Sequence, residues 1–176
     1  MPNHTHFVME PTIDESLPKI MLKLTLAHTR YFNAKYESVG HAWQGRYKSS
    51  LIDSDDYFIW CGIYCELNPV RAKMVKKPED WQWSSYRYYA FGDLNRKIND
   101  LIDCDPYYEK LGKDDGECRR AYRENIGKIM DNIFLEKTRK QLGEGICGKK
   151  GFIENMKERF KIESTKSPGR PRKNQS

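Results

Sequence analysis

Two pairs of polar side chains have the type and spacing that cleavage of a phosphodiester requires. His4 and His6 alternate in a stretch with strand character, so both imidazoles face one side and could hold a divalent ion. Tyr64 and Asn68 stand four residues apart in a helical pattern, which puts a hydroxyl and a carboxamide one turn apart on the same face. Each pair alone also fits a chance arrangement. Together they indicate attack of a tyrosine hydroxyl on a metal-bound DNA phosphate, leaving a covalent phosphotyrosine.

The helix that must position Tyr64 is predicted from capping and periodicity. Ser54 and the two acids after it are typical of a helix start, because a cap oxygen and negative charge suit the N-terminal dipole. Apolar residues continue to Leu67, and Pro69 predicts a stop or a bend. The stripe of Trp60, Ile63 and Leu67 is the candidate core face.

Two strands and one further helix are predicted around this segment. Residues 4–9 and 43–52 alternate with a period of two, whereas residues 16–36 repeat with steps of three and four. Arg46 and Lys48 share one face of the second strand, which suits a nucleic-acid surface and equally an ordinary solvated strand. After Pro78, Trp81, Trp83 and Tyr86 are expected to anchor their segment on the body; exposed aromatics that stack on bases are the alternative.

Charge and cysteine content limit the class of protein. The net charge is +6 over 176 residues, and residues 161–176 hold five Lys or Arg against one Glu. A basic tail on a nearly balanced body favours a polyanionic partner. Five widely spaced cysteines indicate reduced thiols and a cytoplasmic protein. No stretch is apolar enough to span a membrane.

Composition divides the chain into four parts: 1–92 as the chemical domain, 93–116 as a linker, 117–160 as a helical C-terminal region, and 161–176 as a disordered basic tail. The tail contains Gly169-Arg170-Pro171-Arg172-Lys173, similar to the AT-hook core that enters the minor groove of A·T-rich DNA. Arg170, Arg172 and Lys173 are therefore candidate DNA contacts.

Four motifs occur in an order and spacing that resemble a known family. They are Met-Pro-Asn-His4-Thr-His6, Trp43-Gln-Gly-Arg-Tyr47, Tyr64 followed by Glu66-Leu-Asn-Pro-Val-Arg-Ala72, and Trp83-Ser-Ser-Tyr86. The chain resembles the REP-associated tyrosine transposases, relatives of the insertion-sequence-200-like transposases. The resemblance covers most of residues 1–92 and continues more loosely to the tail.

The resemblance implies an α+β fold, with an antiparallel sheet, flanking helices and a small helical C-terminal region, as in His-hydrophobic-His (HUH) endonucleases. It implies a transposase that cleaves and rejoins hairpin-flanked single-stranded DNA with Mg²⁺ or Mn²⁺, commonly as a homodimer. His4, His6 and Asn68 would be metal ligands and Tyr64 the nucleophile. Charge and placement add Arg46, Lys48 and Arg71 as phosphate contacts. Relatives carry a strand, a helix and a second strand before this point, so the chain is expected to be N-terminally truncated.

Two other functions fit parts of the same pattern. A catalytically inactive, truncated DNA-binding remnant would use the basic strand, the C-terminal helices and the tail. A zinc-stabilised protein would use His4 and His6 with Cys61 or Cys65, although the sequence lacks close Cys-x-x-Cys pairs.

Overall fold

A computed structural model describes residues 3–12, 16–53, 56–93, 101–130 and 133–162. The three tail candidates, Arg170, Arg172 and Lys173, lie outside the described residues, as does the proposed helix cap Ser54. The chain divides into two compact units, Met1–Ser49 and Ser50–Ser176, and each is considered by itself. The boundaries predicted from composition at residues 92, 116 and 160 stay predictions.

The first unit contains one long helix. Helix α1 spans Ser16–Tyr36 and confirms the helix predicted for residues 16–36. Its connection to the following segment is a ring contact and a hydrogen bond: the indole N–H of Trp43 donates to the carbonyl of Thr25 at 3.2 Å, and its ring lies 4.9 Å from that of His28.

The antiparallel sheet predicted from the resemblance is not found among the described residues. Residues 3–12 form no strand, residues 42–45 form bends, and of residues 43–52 only Leu51–Ile52 is a strand. Alternation with a period of two indicates which side chains could share a face. A strand also requires a neighbouring segment that pairs with its backbone N–H and C=O groups. Residues 3–12 and residues 43–49 have no such neighbour within the described parts of the first unit.

The second unit is mostly helical. Its elements are β1 (Leu51–Ile52), α2 (Asp56–Arg71), a 3₁₀ turn (Pro78–Asp80), α3 (Tyr86–Phe91), a second 3₁₀ turn (Glu109–Leu111), α4 (Asp115–Met130), α5 (Ile133–Gly143), β2 (Ile146–Cys147) and α6 (Lys150–Arg159). Strands β1 and β2 pair in parallel, with Leu51 opposite Ile146 and Ile52 opposite Cys147. The pairing extends at both ends, through bonds from Leu51 N–H to Gly145 O and from Asp53 N–H to Cys147 O.

Helix α2 continues two residues beyond Pro69, where a stop or a bend was predicted. A proline in the last turn removes only the backbone hydrogen bond to the carbonyl four residues earlier. The last carbonyls of a helix lack partners within the helix and must find them beyond its end. These carbonyls are used: Ala72 N–H donates to Asn68 O, and Met74 N–H donates to Pro69 O, both at 2.9 Å. Lys73 takes a left-handed conformation with φ of 57° and ends the helix.

The core of the second unit forms where α2 packs against α3, α4 and α5. Ile63 and Leu67 of α2 are buried in it and Trp60 packs at its margin, as the apolar stripe predicted. Three tyrosines fill the opposite side, with ring centroids 5.0–5.6 Å apart: Tyr89, Tyr108 and Tyr122. No helix in the described parts of the chain is long and apolar enough to cross a bilayer.

Candidate functional site

Tyr64 occupies a half-buried position near the middle of α2. Its ring packs against the core cluster of the second unit, and the guanidinium carbon of Arg71 lies 5.3 Å from the ring centroid. A cation over an aromatic face is attracted electrostatically by the ring. Arg71 itself donates from Nη2 to Glu136 Oε1 at 2.8 Å, so an acidic side chain of α5 holds it in place.

Asn68 lies one turn after Tyr64 on the same helix, as the spacing predicted. Its Nδ2 atom is buried and has no hydrogen-bond partner. Buried polar atoms are nearly always paired, so an orphan of this kind marks a candidate binding position. The two ends of a carboxamide exchange places by rotation, and the orphaned position could therefore present the amide oxygen to a ligand.

His4 and His6 lie together in the first unit, with ring centroids 4.9 Å apart and planes at 88°. Asn3 Oδ1 lies 2.8 Å from Nδ1 of His4 and so constrains its tautomer. Desolvation, and secondarily the adjacent His4, lower the pKa of the His6 imidazole below its ordinary value. This favours the neutral imidazole, which is the form that binds a metal. The predicted pairing of the two histidines is present, although it does not arise from a strand.

The remaining sequence-predicted residues fall into the two units. Arg46 and Lys48 are exposed in an irregular segment of the first unit, so the alternation that placed them on one strand face does not apply. Tyr64, Asn68 and Arg71 lie on one helix of the second unit. The described candidate residues are therefore divided between the units, four in the first and three in the second.

Sequence reasoning missed a buried carboxylate beside this helix face. Glu66 is 2% exposed and accepts hydrogen bonds from Ser85 Oγ at 2.6 Å and Tyr122 Oη at 2.8 Å. Burial raises the pKa of Glu66 to about 7, although both hydrogen bonds act in the opposite direction. In the sequence, Glu66 directly precedes Leu67 and follows Ile63 by three residues, so on a helix it lies beside the apolar stripe. This position was the feature that could have predicted its burial.

Cys61, one of the two cysteines considered for zinc, lies beside another thiol. The Cys61 thiol donates to Sγ of Cys147 at 3.7 Å, and both side chains are buried. This contact and burial raise the pKa of Cys61, whereas accepting the same hydrogen bond lowers the pKa of Cys147. In the parts of the chain that are described, no three His, Cys, Asp or Glu side chains form a group that could hold a metal ion. The zinc interpretation therefore has no supporting cluster there.

Residues 1–66 match the family model described as IS200-like transposase. The matched segment contains both histidines and Tyr64. The match covers 66 of the 176 residues and shows similarity to that family over this segment. Comparison with curated proteins and with solved structures gives no match.

The transposase match ends two residues after Tyr64, at the buried Glu66. Asn68 and Arg71 lie beyond it, and their candidate roles depend on their place on the same helix.

Proposed function

We propose that this chain cleaves and rejoins hairpin-flanked single-stranded DNA, with Tyr64 as the nucleophile. The observation that carries the proposal is the IS200-like match over residues 1–66, because one matched segment includes Tyr64 together with His4 and His6. The structure supports it with a half-buried Tyr64 that has a guanidinium over its ring.

In the proposed reaction, the phenol oxygen of Tyr64 attacks the scissile phosphorus and a P–O bond of the DNA backbone breaks. The phenolic proton passes to water, and the released strand ends in a hydroxyl. The phosphotyrosine conserves the energy of the phosphodiester, so attack by a deoxyribose hydroxyl rejoins the DNA without ATP. Arg71, at 5.3 Å from the ring, would stabilise negative charge on the attacking oxygen and on the phosphate.

His4 and His6 are the proposed ligands of Mg²⁺ or Mn²⁺, and the resemblance supplies Asn68 as the third. Within the first unit, the rings of the two histidines meet edge to face at 4.9 Å. Within the second unit, a polar atom of Asn68 is buried without a partner. The ion would supply neutralisation of the non-bridging phosphate oxygens. The choice between the two metals depends on assay, since a carbonyl oxygen such as that of Asn68 suits both.

DNA contacts are proposed at five further basic residues: Arg46, Lys48, Arg170, Arg172 and Lys173. Arg46 and Lys48 are proposed to contact phosphates, which carry no base-specific information and make affinity depend on salt. The three tail residues are proposed to enter the minor groove of A·T-rich DNA. A homodimer acting on paired hairpins is part of the same proposal.

The test is a covalent-adduct assay with the full chain, labelled hairpin-containing single-stranded DNA and Mn²⁺. A labelled protein band on a denaturing gel is expected for the unsubstituted chain and is expected to disappear in Tyr64→Phe. Tyr57→Phe is the matched control, because it removes a hydroxyl from the same helix seven residues earlier. An adduct that persists in Tyr64→Phe would overturn the nucleophile. Hairpin binding without any adduct would instead favour the DNA-binding remnant.

A further inference from the structure

Trp83 is an exposed indole on an otherwise anchored turn. It was expected to pack on the body together with Trp81 and Tyr86, but 71% of its surface is accessible, whereas Tyr86 is 5% exposed and Trp81 is half-buried. Among the described residues, the indole makes no hydrogen bond and no ring contact. Folding of the second unit therefore gains little from a tryptophan at this position.

The turn that carries Trp83 is held on both sides. Before it, Trp81 N–H donates to Pro78 O at 3.2 Å. After it, Ser85 Oγ donates to the buried Glu66 at 2.6 Å, and Tyr86 N–H donates to Ser84 Oγ at 3.3 Å. A large aromatic side chain is thus presented by a fixed backbone, which reduces the entropy lost when a partner binds.

The same connection between α2 and α3 is basic. Residues 71–87 contain five Lys or Arg against two acidic residues, and four of the five cations are exposed: Lys73, Lys76, Lys77 and Arg87. Two of the four also lie in ion pairs, Arg87 with Asp93 at 2.8 Å and Lys77 with Glu79 at 4.0 Å. One exposed aromatic residue is ordinary on a protein surface. An exposed aromatic on a fixed turn among exposed cations is the combination by which proteins bind single strands, with stacking on a base and cations along the backbone.

We propose that Trp83 is a stacking site for an unpaired base of single-stranded DNA, with the cations of residues 71–87 contacting the neighbouring phosphates. This inference rests on the proposed function for its ligand, but it concerns equilibrium binding and requires no chemistry. A single strand is favoured over a duplex because a paired base already has both faces stacked. It is favoured over a protein partner because phosphates beside a stacked base would pair with exposed cations such as Lys73 and Lys76, which an apolar surface would only desolvate.

The experiment measures binding in the full chain carrying Tyr64→Phe, so that no covalent product forms. Fluorescence anisotropy compares a labelled hairpin with a single-stranded extension and the same hairpin fully paired. Trp83→Ala should weaken binding to the extended hairpin by roughly 5- to 150-fold, the range for loss of one stacked base. Trp83→Phe should retain most of the affinity. Phe160→Ala is the matched control, since Phe160 is also an exposed aromatic of the second unit, at 53%.

Salt dependence separates stacking from charge. Trp83→Ala should lower affinity by the same factor at every salt concentration, whereas Lys76→Gln combined with Lys77→Gln should reduce the slope of log K against log salt by about 1.4, since each contact to a single strand contributes roughly 0.7. Trp83 is exposed, so its loss should leave the thermal midpoint unchanged, and this excludes misfolding as the cause.

Three results would overturn the inference. Affinity within twofold of the parent in Trp83→Ala removes the stacking site. Equal loss on the paired and extended hairpins shows that an unpaired base is not the ligand. A change from dimer to monomer on sedimentation, with unchanged DNA affinity, assigns Trp83 to a protein interface. If the Tyr64 adduct assay fails while Trp83→Ala still weakens binding to the extended hairpin, the proposed cleavage reaction is rejected and the Trp83 stacking site is kept. If the parent does not bind DNA, the cleavage reaction and the stacking site are both rejected.

Discussion

Replacing Glu66 with glutamine should change how the stability of the second unit depends on pH. Glu66 is buried at 2% exposure, and its pKa is raised to about 7 from an ordinary value of 4.5. A raised pKa means that the folded state binds the proton more tightly than the unfolded state. The resulting stabilisation is complete below pH 4.5 and is lost as pH rises through 7. Glutamine does not ionise, so Glu66→Gln lacks this dependence.

The magnitude follows from the two pKa values. Each unit of pKa is worth about 1.4 kcal/mol, so the change from 4.5 to about 7 corresponds to about 3 kcal/mol in the free energy of unfolding. The quantity to examine is the difference between Glu66→Gln and the parent, because other titrating groups then cancel. The free energy of unfolding of Glu66→Gln minus that of the parent should increase by about 3 kcal/mol between pH 4.5 and pH 8. The absolute offset also contains the altered hydrogen bonds to Ser85 and Tyr122 and is not the test.

The assay is urea unfolding followed by circular dichroism at pH 4.5, 5.5, 6.5, 7.5 and 8. Glu124→Gln serves as the matched control, since Glu124 is an exposed glutamate of α4 in the same unit. Its curve should stay parallel to that of the parent. If the Glu66→Gln curve is also parallel, within about 0.5 kcal/mol of measurement error typical for extrapolated values, then burial does not disfavour the Glu66 carboxylate and the reasoning fails.

Two further substitutions test packing and the candidate ligand. Gly148→Ala should lower the free energy of unfolding by about 1–3 kcal/mol, because a new Cβ would lie 2.6 Å from Cβ of Asp53 and 2.7 Å from the Phe152 ring. Gly151→Ala, whose Cβ meets nothing within 4 Å in helix α6, should be neutral or stabilising by up to about 1 kcal/mol in the same urea titration, and equal losses would contradict the argument. Asn68→Leu should raise stability by about 1–3 kcal/mol by removing an orphaned buried donor, and should abolish the Mn²⁺-dependent adduct. A stable variant that still forms the adduct would exclude Asn68 as a ligand.

Helical periodicity predicted the helices well because each helix satisfies its own backbone. The pattern in residues 16–36 predicted α1, and the stripe of Ile63 and Leu67 predicted the buried side of α2. Alternation predicted strands less well, since a strand depends on a partner elsewhere in the chain. Leu51–Ile52 is a strand because Ile146–Cys147 pairs with it. The two segments are far apart in the sequence, so no local pattern predicted their parallel pairing.

The candidate site was partly predictable for the same reason. Tyr64 and Asn68 share a helix face because their spacing alone decides it, whereas the ion pair of Arg71 with Glu136 joins residues 65 positions apart and has no local signature. Trp83 shows the opposite error: an aromatic residue between two packed aromatics was expected to pack, but its direction is set by the turn of residues 81–85. Hydrophobic character predicts burial only where the backbone points the side chain inward.

Glu66 connects two of the four motifs on which the family resemblance was based. It follows Tyr64 by two residues on α2, and its carboxylate accepts from Ser85, two residues after Trp83. A buried carboxylate is a poor way to gain stability, because an apolar residue of similar volume would avoid the desolvation cost. Its directional hydrogen bonds, however, fix the orientation of the turn of residues 81–85 on helix α2. Apolar packing would specify that orientation less strictly. The carboxylate thereby holds the proposed base-stacking residue in a fixed relation to the helix of the proposed nucleophile. Glu66→Gln should consequently weaken discrimination between extended and paired hairpins even at pH values where it stabilises the fold, and unchanged discrimination would show that the turn is positioned by packing alone.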